Sequence, residues 1–215
     1  MNFRGTLAMR AGIAGILMSS VGCGSPSANP SNRSAVSTPS STITARGTAA
    51  VSGKVKDSGA GAIVVLAPAD GREVPPPTGP KVMDQAGYEF LPPLLVAQTG
   101  QAVQFRNSED VLHNVRVTEV ATDTPVFNVA TIAFGSYDYT FERPGFYTVT
   151  CDIHSSMRAD ILVAPSPYTA KTDQNGSFSI DGVPAGTYTV NLYAGGAPTT
   201  KSIEVKSGKT ELNLP

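Results

Sequence analysis

The sequence predicts an all-β protein assembled from β-sandwich units, on three observations. Short runs rich in Val, Ile, Phe, Tyr and Thr are separated by Gly, Pro, Asn and Asp along most of the chain. No segment keeps a helical apolar period over three turns. Turn dipeptides recur between the runs, among them Pro144-Gly145, Asn175-Gly176 and Asp181-Gly182. Within 215 residues, 16 basic side chains stand against 17 acidic ones. That balance is not basic enough for nucleic-acid binding. No Cys-x-x-Cys-His is present, which excludes covalent haem.

Taken in order, the chain opens with a basic stretch carrying Arg4 and Arg10, then an apolar run over 11–18, then small residues up to Cys23. This is the layout of an export signal over 1–22, and the run is too short to span a bilayer. Ser20-Val21-Gly22-Cys23 resembles a bacterial lipobox, which implies cleavage before Cys23 and lipid on its thiol. The departure is Ser20, where the family usually has leucine, so ordinary signal-peptidase cleavage nearby is the alternative. Removing 1–22 removes Arg4 and Arg10 and takes the net charge from −1 to −3. Residues 23–46, mostly Ser, Pro, Ala, Asn and Thr, cannot bury a core and read as a disordered tether. The expectation is an exported protein on the periplasmic or cell-envelope side, touching a membrane only through its lipid.

Strands are expected at 51–56 and 62–66, and the Pro75-Pro76-Pro77 run that follows is a stiff connector. Further strands are expected at 102–106, 114–120, 137–141, 146–150 and 159–163. Pro144-Gly145 suits a type II turn leading into 146–150. In that strand Tyr147, Val149 and Cys151 share one face, so Cys151 leaves the sheet pointing inward. After Met157 a strand at 159–163 returns at once. The last expected strands are 177–180, 187–193 and 201–206, with Asn175-Gly176 and Asp181-Gly182 as tight turns on either side of the first.

The chemistry concentrates in Cys151-Asp152-Ile153-His154-Ser155-Ser156-Met157. A thiolate, an imidazole and a thioether lie within reach of one loop, and a second imidazole, His113, lies upstream. Two histidines, one cysteine and a weakly held methionine are the ligand set of a blue-copper electron-transfer site. The chain has only two histidines, and this reading uses both. Export adds to it: with Cys23 lipidated, Cys151 is a lone thiol in an oxidising compartment, and metal ligation protects it. A buried structural cysteine is the plain alternative. Zinc completed by Asp152 or Asp160 is a second alternative, although thioether suits copper better. A Cys151–His154 nucleophile would need an orienting group and an oxyanion donor, and none is identifiable. The backbone N–H of Asn114, just after His113, is placed to tune the Cys151 sulfur; otherwise Asn114 is a turn residue.

These segments carry a family resemblance. The Cys-x-x-His-x-x-Met spacing followed by Arg158, the Leu112-His113-Asn114-Val115 segment, Glu142-Arg143-Pro144-Gly145-Phe146-Tyr147 and Thr99-Gly100-Gln101-Ala102-Val103 together resemble a cupredoxin. The similarity is to amicyanin and its plastocyanin-like relatives. The resemblance implies a Greek-key β-sandwich over 81–165 with His113, Cys151 and His154 as equatorial copper ligands and Met157 as the axial one. It implies one mononuclear Cu(I)/Cu(II) ion, electron exchange with redox partner proteins, and no enzyme activity. The sequence departs from amicyanin at Asp152-Ile153, where a proline usually precedes the second histidine, and at Ser155-Ser156. A non-redox copper-binding or adhesion scaffold is the rival function. Residues 81–164 hold five basic and ten acidic side chains, which favours a partner with a basic face.

Residues 172–180 and 183–190 resemble a carboxypeptidase regulatory-like (transthyretin-like) sandwich. At fifty residues, 166–215 is thin for that fold, so 47–67 are expected to supply its first strands, with the copper domain inserted between. The simpler alternative gives 47–67 to the cupredoxin as edge strands. This module contains no His or Cys and is assigned no chemistry.

Overall fold

The computed structural model describes residues 47–195 and 198–215. The expected export signal over 1–22, the expected tether over 23–46 and Cys23 lie outside the described residues. The described chain is all β, with no helix. It starts with β1 (Thr48–Val55) and β2 (Ile63–Pro68). Nine strands follow: β3 (Lys81–Ala86), β4 (Glu89–Leu91), β5 (Leu94–Gln98), β6 (Ala102–Asn107), β7 (His113–Glu119), β8 (Thr124–Thr131), β9 (Ser136–Thr140), β10 (Gly145–Thr150) and β11 (Arg158–Ala164). The last five are β12 (Thr169–Lys171), β13 (Ser177–Pro184), β14 (Gly186–Tyr193), β15 (Thr199–Val205) and β16 (Gly208–Leu214).

Two sandwiches result. A five-stranded sheet β5-β11-β10-β7-β8 faces a four-stranded sheet β4-β3-β6-β9, which gives the Greek-key sandwich. Sheets β13-β1-β16 and β12-β2-β14-β15 make the second, smaller sandwich. Strand β1 pairs antiparallel with β13 and parallel with β16, and β2 pairs with β12 and β14. The strands before the Greek-key sandwich therefore hydrogen-bond to the strands after it.

Period-two alternation builds each core. In β10, Tyr147 and Val149 turn inward with Cys151 just beyond, and Phe146, Thr148 and Thr150 face the other way half-buried. In β6, Val103, Phe105 and Asn107 are buried while Arg106 is exposed. Val115, Val117, Phe141, Ile161 and Met157 join the same apolar cluster. Each fully buried aliphatic or aromatic side chain contributes about 1.5–3 kcal/mol.

Strand β2 explains its own uninterrupted run Ile63-Val64-Val65-Leu66. Val64 and Leu66 enter the small sandwich's core, while Ile63 and Val65 pack on Leu162 and Ala164 of β11. A strand buried on both faces has no polar side to alternate with. This seam, with Phe146 and Tyr193 against it, joins the two sandwiches.

Both sandwiches use a tyrosine corner, in which the hydroxyl donates to a backbone carbonyl a few residues upstream. Tyr147 donates to the Arg143 carbonyl and Tyr188 to the Pro184 carbonyl, each at 2.8 Å. The connector through Pro75-Pro76-Pro77 is held by the Gln98 and Gln101 side-chain amides, which donate to the carbonyls of Pro75 and Gly79.

Two expected turns are different in the structure. Pro144-Gly145 is no type II turn: Gly145 has φ +158°, opens β10 and pairs with Val163. Asp181-Gly182 does not end a strand; β13 runs through it. Its two residues lie opposite the single residue Ala50, with Gly182 at φ +70°, which is a β-bulge. The Asn175-Gly176 turn does form, with Gly176 N–H donating to the Asp173 carbonyl. Gly176 sits at φ +75°, and a Cβ there would fall 2.5 Å from the Ser58 carbonyl oxygen.

Candidate metal centre

Two connections at one end of the Greek-key sandwich build the site. Residues 108–112 link β6 to β7, so His113 is the first residue of its strand. Residues 151–157 link β10 to β11 and close on themselves: Cys151 N–H donates to the Met157 carbonyl, and Met157 N–H donates to the His154 carbonyl. The adjoining pair Thr150–Arg158 sets the width of that loop.

These connections bring His113, Cys151 and His154 together, with one donor atom of each within 4.8 Å of the others. His113 Nδ1 lies 3.0 Å from His154 Nδ1, and Cys151 Sγ lies 3.9 Å from His154 Nδ1. Imidazole nitrogen and thiolate bind a transition metal at roughly 2.0–2.1 and 2.3 Å, so donors sharing one ion sit within about 4.4 Å. The His113–His154 and Cys151–His154 separations satisfy that, and the His113–Cys151 pair, held within 4.8 Å, comes within a few tenths of an ångström of it. His113 and Cys151 are buried and His154 is half-buried. Met157 is buried in the same apolar cluster as Cys151.

Glu109 orients His113, and the sequence reading missed it. His113 Nε2–H donates to Glu109 Oε2 at 2.7 Å, which leaves the Nδ1 lone pair directed at the cluster. The same carboxylate accepts from the backbone N–H groups of Gly87 and Tyr88. Burial works against its charge, but the bonds from His113, Tyr88 and Gly87 outweigh it and hold Glu109 below the usual carboxylate range.

Asn107 braces the 108–112 connection. Its Nδ2 donates to the carbonyls of Val111, Thr131 and Ile132, and its Oδ1 accepts from Glu109 N–H. The β6 alternation places Asn107 on the inward face, and that was the available sequence signal. Glu109 carried a weaker one, four residues before His113. Tyr88, on the β3–β4 turn, carried none; its ring stands edge-on to both imidazoles.

Asn114 touches the sulfur differently from the expectation. The contact runs through its side chain: Cys151 Sγ–H donates to Asn114 Oδ1 at 3.3 Å, and Asp152 N–H donates to the same oxygen at 2.7 Å. Asn114 is also a strand residue, opposite Ala130, and not part of a turn. Its Nδ2 donates to Asn128 Oδ1 and to Asp152 Oδ2. Asn128 Nδ2 donates to Asp152 as well, and Arg116 lies 3.4 Å away. The Asn128 bond, helped by Arg116 against some burial, holds Asp152 below its ordinary value. Asp152 is thus committed to this network, and Asp160 accepts from Thr148 Oγ1. Neither carboxylate joins the donor cluster among the described residues.

Around the site, Leu112 and Ile153, each just before a histidine, are exposed, as are Ile132, Phe134 and Tyr88. Phe134 N–H donates to the Glu109 carbonyl, so the 132–135 turn belongs to the same end of the sandwich.

The family model for polysaccharide lyase family 4, domain II, matches residues 164–212. The C-terminal module thus matches an fn3-like description, and the match does not test the transthyretin-like resemblance expected from its motifs. Both are sandwiches of short strands, and the motifs quoted for the resemblance are turn and strand signals that such sandwiches share. No curated protein sequence matches the chain. Among solved structures, a copper(I) methionine-to-alanine mutant of amicyanin is 24% identical and covers 47% of this chain and 97% of its own, with a TM-score of 0.37. An oxidised proline-to-alanine mutant of amicyanin gives the same four values. An oxidised proline-to-glycine mutant is 25% identical, covering 46% and 91%, with a TM-score of 0.36.

Proposed function

We propose that residues 81–165 form a mononuclear type 1 copper centre and that the protein is an electron carrier, not an enzyme. The convergence of two imidazole Nδ1 atoms and one cysteine sulfur carries this reading. A His2Cys set with His113 and Cys151 buried and His154 half-buried, and Met157 buried in the same cluster as Cys151, is the donor chemistry of a blue-copper site. Bound copper would supply a one-electron Cu(II)/Cu(I) couple. The chain's residues would hold the ligands fixed across both oxidation states. Glu109 keeps His113 oriented, the closed 151–157 loop sets the other donors, and the β10–β11 ladder anchors both ends of that loop.

Half-buried His154, together with the exposed Leu112, Ile132, Phe134 and Ile153 of the connections at this end, supports outer-sphere transfer to a partner protein that covers this end. The acidic balance of 81–164 favours a partner with a basic face. The signal-like N-terminus and Cys23 support an exported, lipid-anchored protein on the cell-envelope side. A reversible redox titration tests the function. Purified protein given one equivalent of Cu(II) turns intensely blue, bleaches with a mild reductant and recovers its colour with an oxidant. Copper that binds without colour, or that is lost at each cycle, favours a non-redox copper-binding role instead.

A further inference from the structure

The β3–β4 connection places an aromatic residue where the backbone favours glycine. Gly87 and Tyr88 both lie at positive φ, +66° and +59°, between the paired residues Ala86 and Glu89. Glycine takes that conformation freely and a tyrosine does so rarely. Backbone strain of this kind persists where the surroundings impose it and the side chain has a use. The surroundings here are specific. Glu109 Oε1 accepts from Gly87 N–H at 3.0 Å and Oε2 from Tyr88 N–H at 3.3 Å, while Oε2 also accepts from His113. One carboxylate therefore ties the turn to the first histidine.

Held this way, the Tyr88 ring stands 4.9 Å from the His154 ring at 84° and 5.8 Å from the His113 ring at 79°. The two imidazoles are themselves 4.8 Å apart at 66°. The three rings form a mutually edge-on group, a favoured arrangement for aromatic pairs. Tyr88 is 48% exposed and is the outermost ring, while His113 is fully buried. A molecule approaching the paired Nδ1 atoms from this side meets Tyr88 first.

We propose that Tyr88 is a fixed aromatic cap that orients the His154 ring and controls access of small ligands and chelators to the metal centre. Access to the metal rests on the copper reading; ordering of His154 does not. The ring does this, and the hydroxyl is dispensable. Tyr88→Phe therefore behaves as the wild type. Tyr88→Asn keeps the left-handed turn, which asparagine tolerates, and removes the cap.

Two measurements test it on the full-length protein. In metal-free protein, diethyl pyrocarbonate modifies exposed imidazoles, and with only two histidines in the chain mass spectrometry assigns each product. His154 of the Asn variant is expected to react several-fold faster than in the wild type or the Phe variant, with no loss of thermal stability. In copper(I)-loaded protein, a chelator is expected to remove the metal on the order of tenfold faster from the Asn variant, the size of effect usual for residues supporting metal ligands. Equal His154 reactivity in the wild type and the Asn variant would overturn the cap, as would a Phe variant as reactive as the Asn one. If reactivity differs as expected but no variant binds copper, the cap on His154 stands and the copper reading fails.

Discussion

Asn107→Ala should loosen the metal centre without touching a ligand. Its side chain makes four hydrogen bonds, three given to carbonyls and one accepted from Glu109 N–H. The amide has two hydrogens, shared among the three carbonyls, so with the accepted bond a typical net contribution of about 1 kcal/mol per bond gives roughly 3 kcal/mol. The Ile132 and Val111 carbonyls lie near the surface and can turn to water, whereas Thr131 is buried. The expected loss is therefore about 2–3 kcal/mol, a fall in Tm of roughly 4–12 °C for a chain of this size. The 108–112 connection also carries Glu109, so copper affinity should fall by about 10–100-fold. Asn107→Asp sharpens the test. It is nearly isosteric and keeps the Glu109 bond, but it sets a carboxylate against three carbonyl oxygens. It should be at least as destabilising as alanine. Denaturant unfolding and competitive copper titration read both effects. An Asp variant as stable as the wild type would refute the reasoning.

Gly53→Ala probes the other sandwich. A Cβ at Gly53 would lie 1.6 Å from the Leu212 carbonyl oxygen, where β1 and β16 run parallel. The backbones must part, at a cost of roughly 3 kcal/mol or more, and calorimetry should show it. The copper spectrum should not change, since no candidate ligand lies in that module; an unchanged Tm contradicts the packing. Asp70→Asn tests an acid-sensitive contact. The Arg72 guanidinium bonds Asp70 through Nε and Nη2 and, against slight burial, brings its carboxyl from 3.8 down to about 2. A depressed folded pKa gives stability that is present above 3.8 and is lost as pH falls towards about 2. The Asn variant should therefore show a shallower fall of urea midpoint across that window, and an identical pH profile would remove Asp70 from the account.

The cluster of His113, Cys151 and His154 was legible because these residue types are rare in this chain and two of the three share one loop. The inward face of Cys151 followed from strand alternation alone, because Tyr147 and Val149 mark that face. The doubly buried β2 left its signature in four consecutive apolar residues. Other strands were less visible. In β3 the buried set is Met83 and Gln85, so a polar amide interrupts the apolar alternation. The Gln85 side chain bonds Thr131 and the Arg106 carbonyl, partners supplied by other strands. Strand β8 is an edge strand with Pro125 and little buried surface, so no alternation marks it. The Asp181-Gly182 pair read as a turn because a bulge and a turn both use glycine at positive φ. The Glu109 and Tyr88 contacts exist only once the β3–β4 turn lies beside the start of β7, a juxtaposition that local sequence does not encode.

X-ray absorption at the copper edge of the loaded protein reads the ligand set itself. Two imidazole nitrogens and one short thiolate sulfur around a single copper are expected, with the sulfur shell lost in Cys151→Ser. A coordination shell of nitrogen and oxygen alone in the wild-type protein would contradict it.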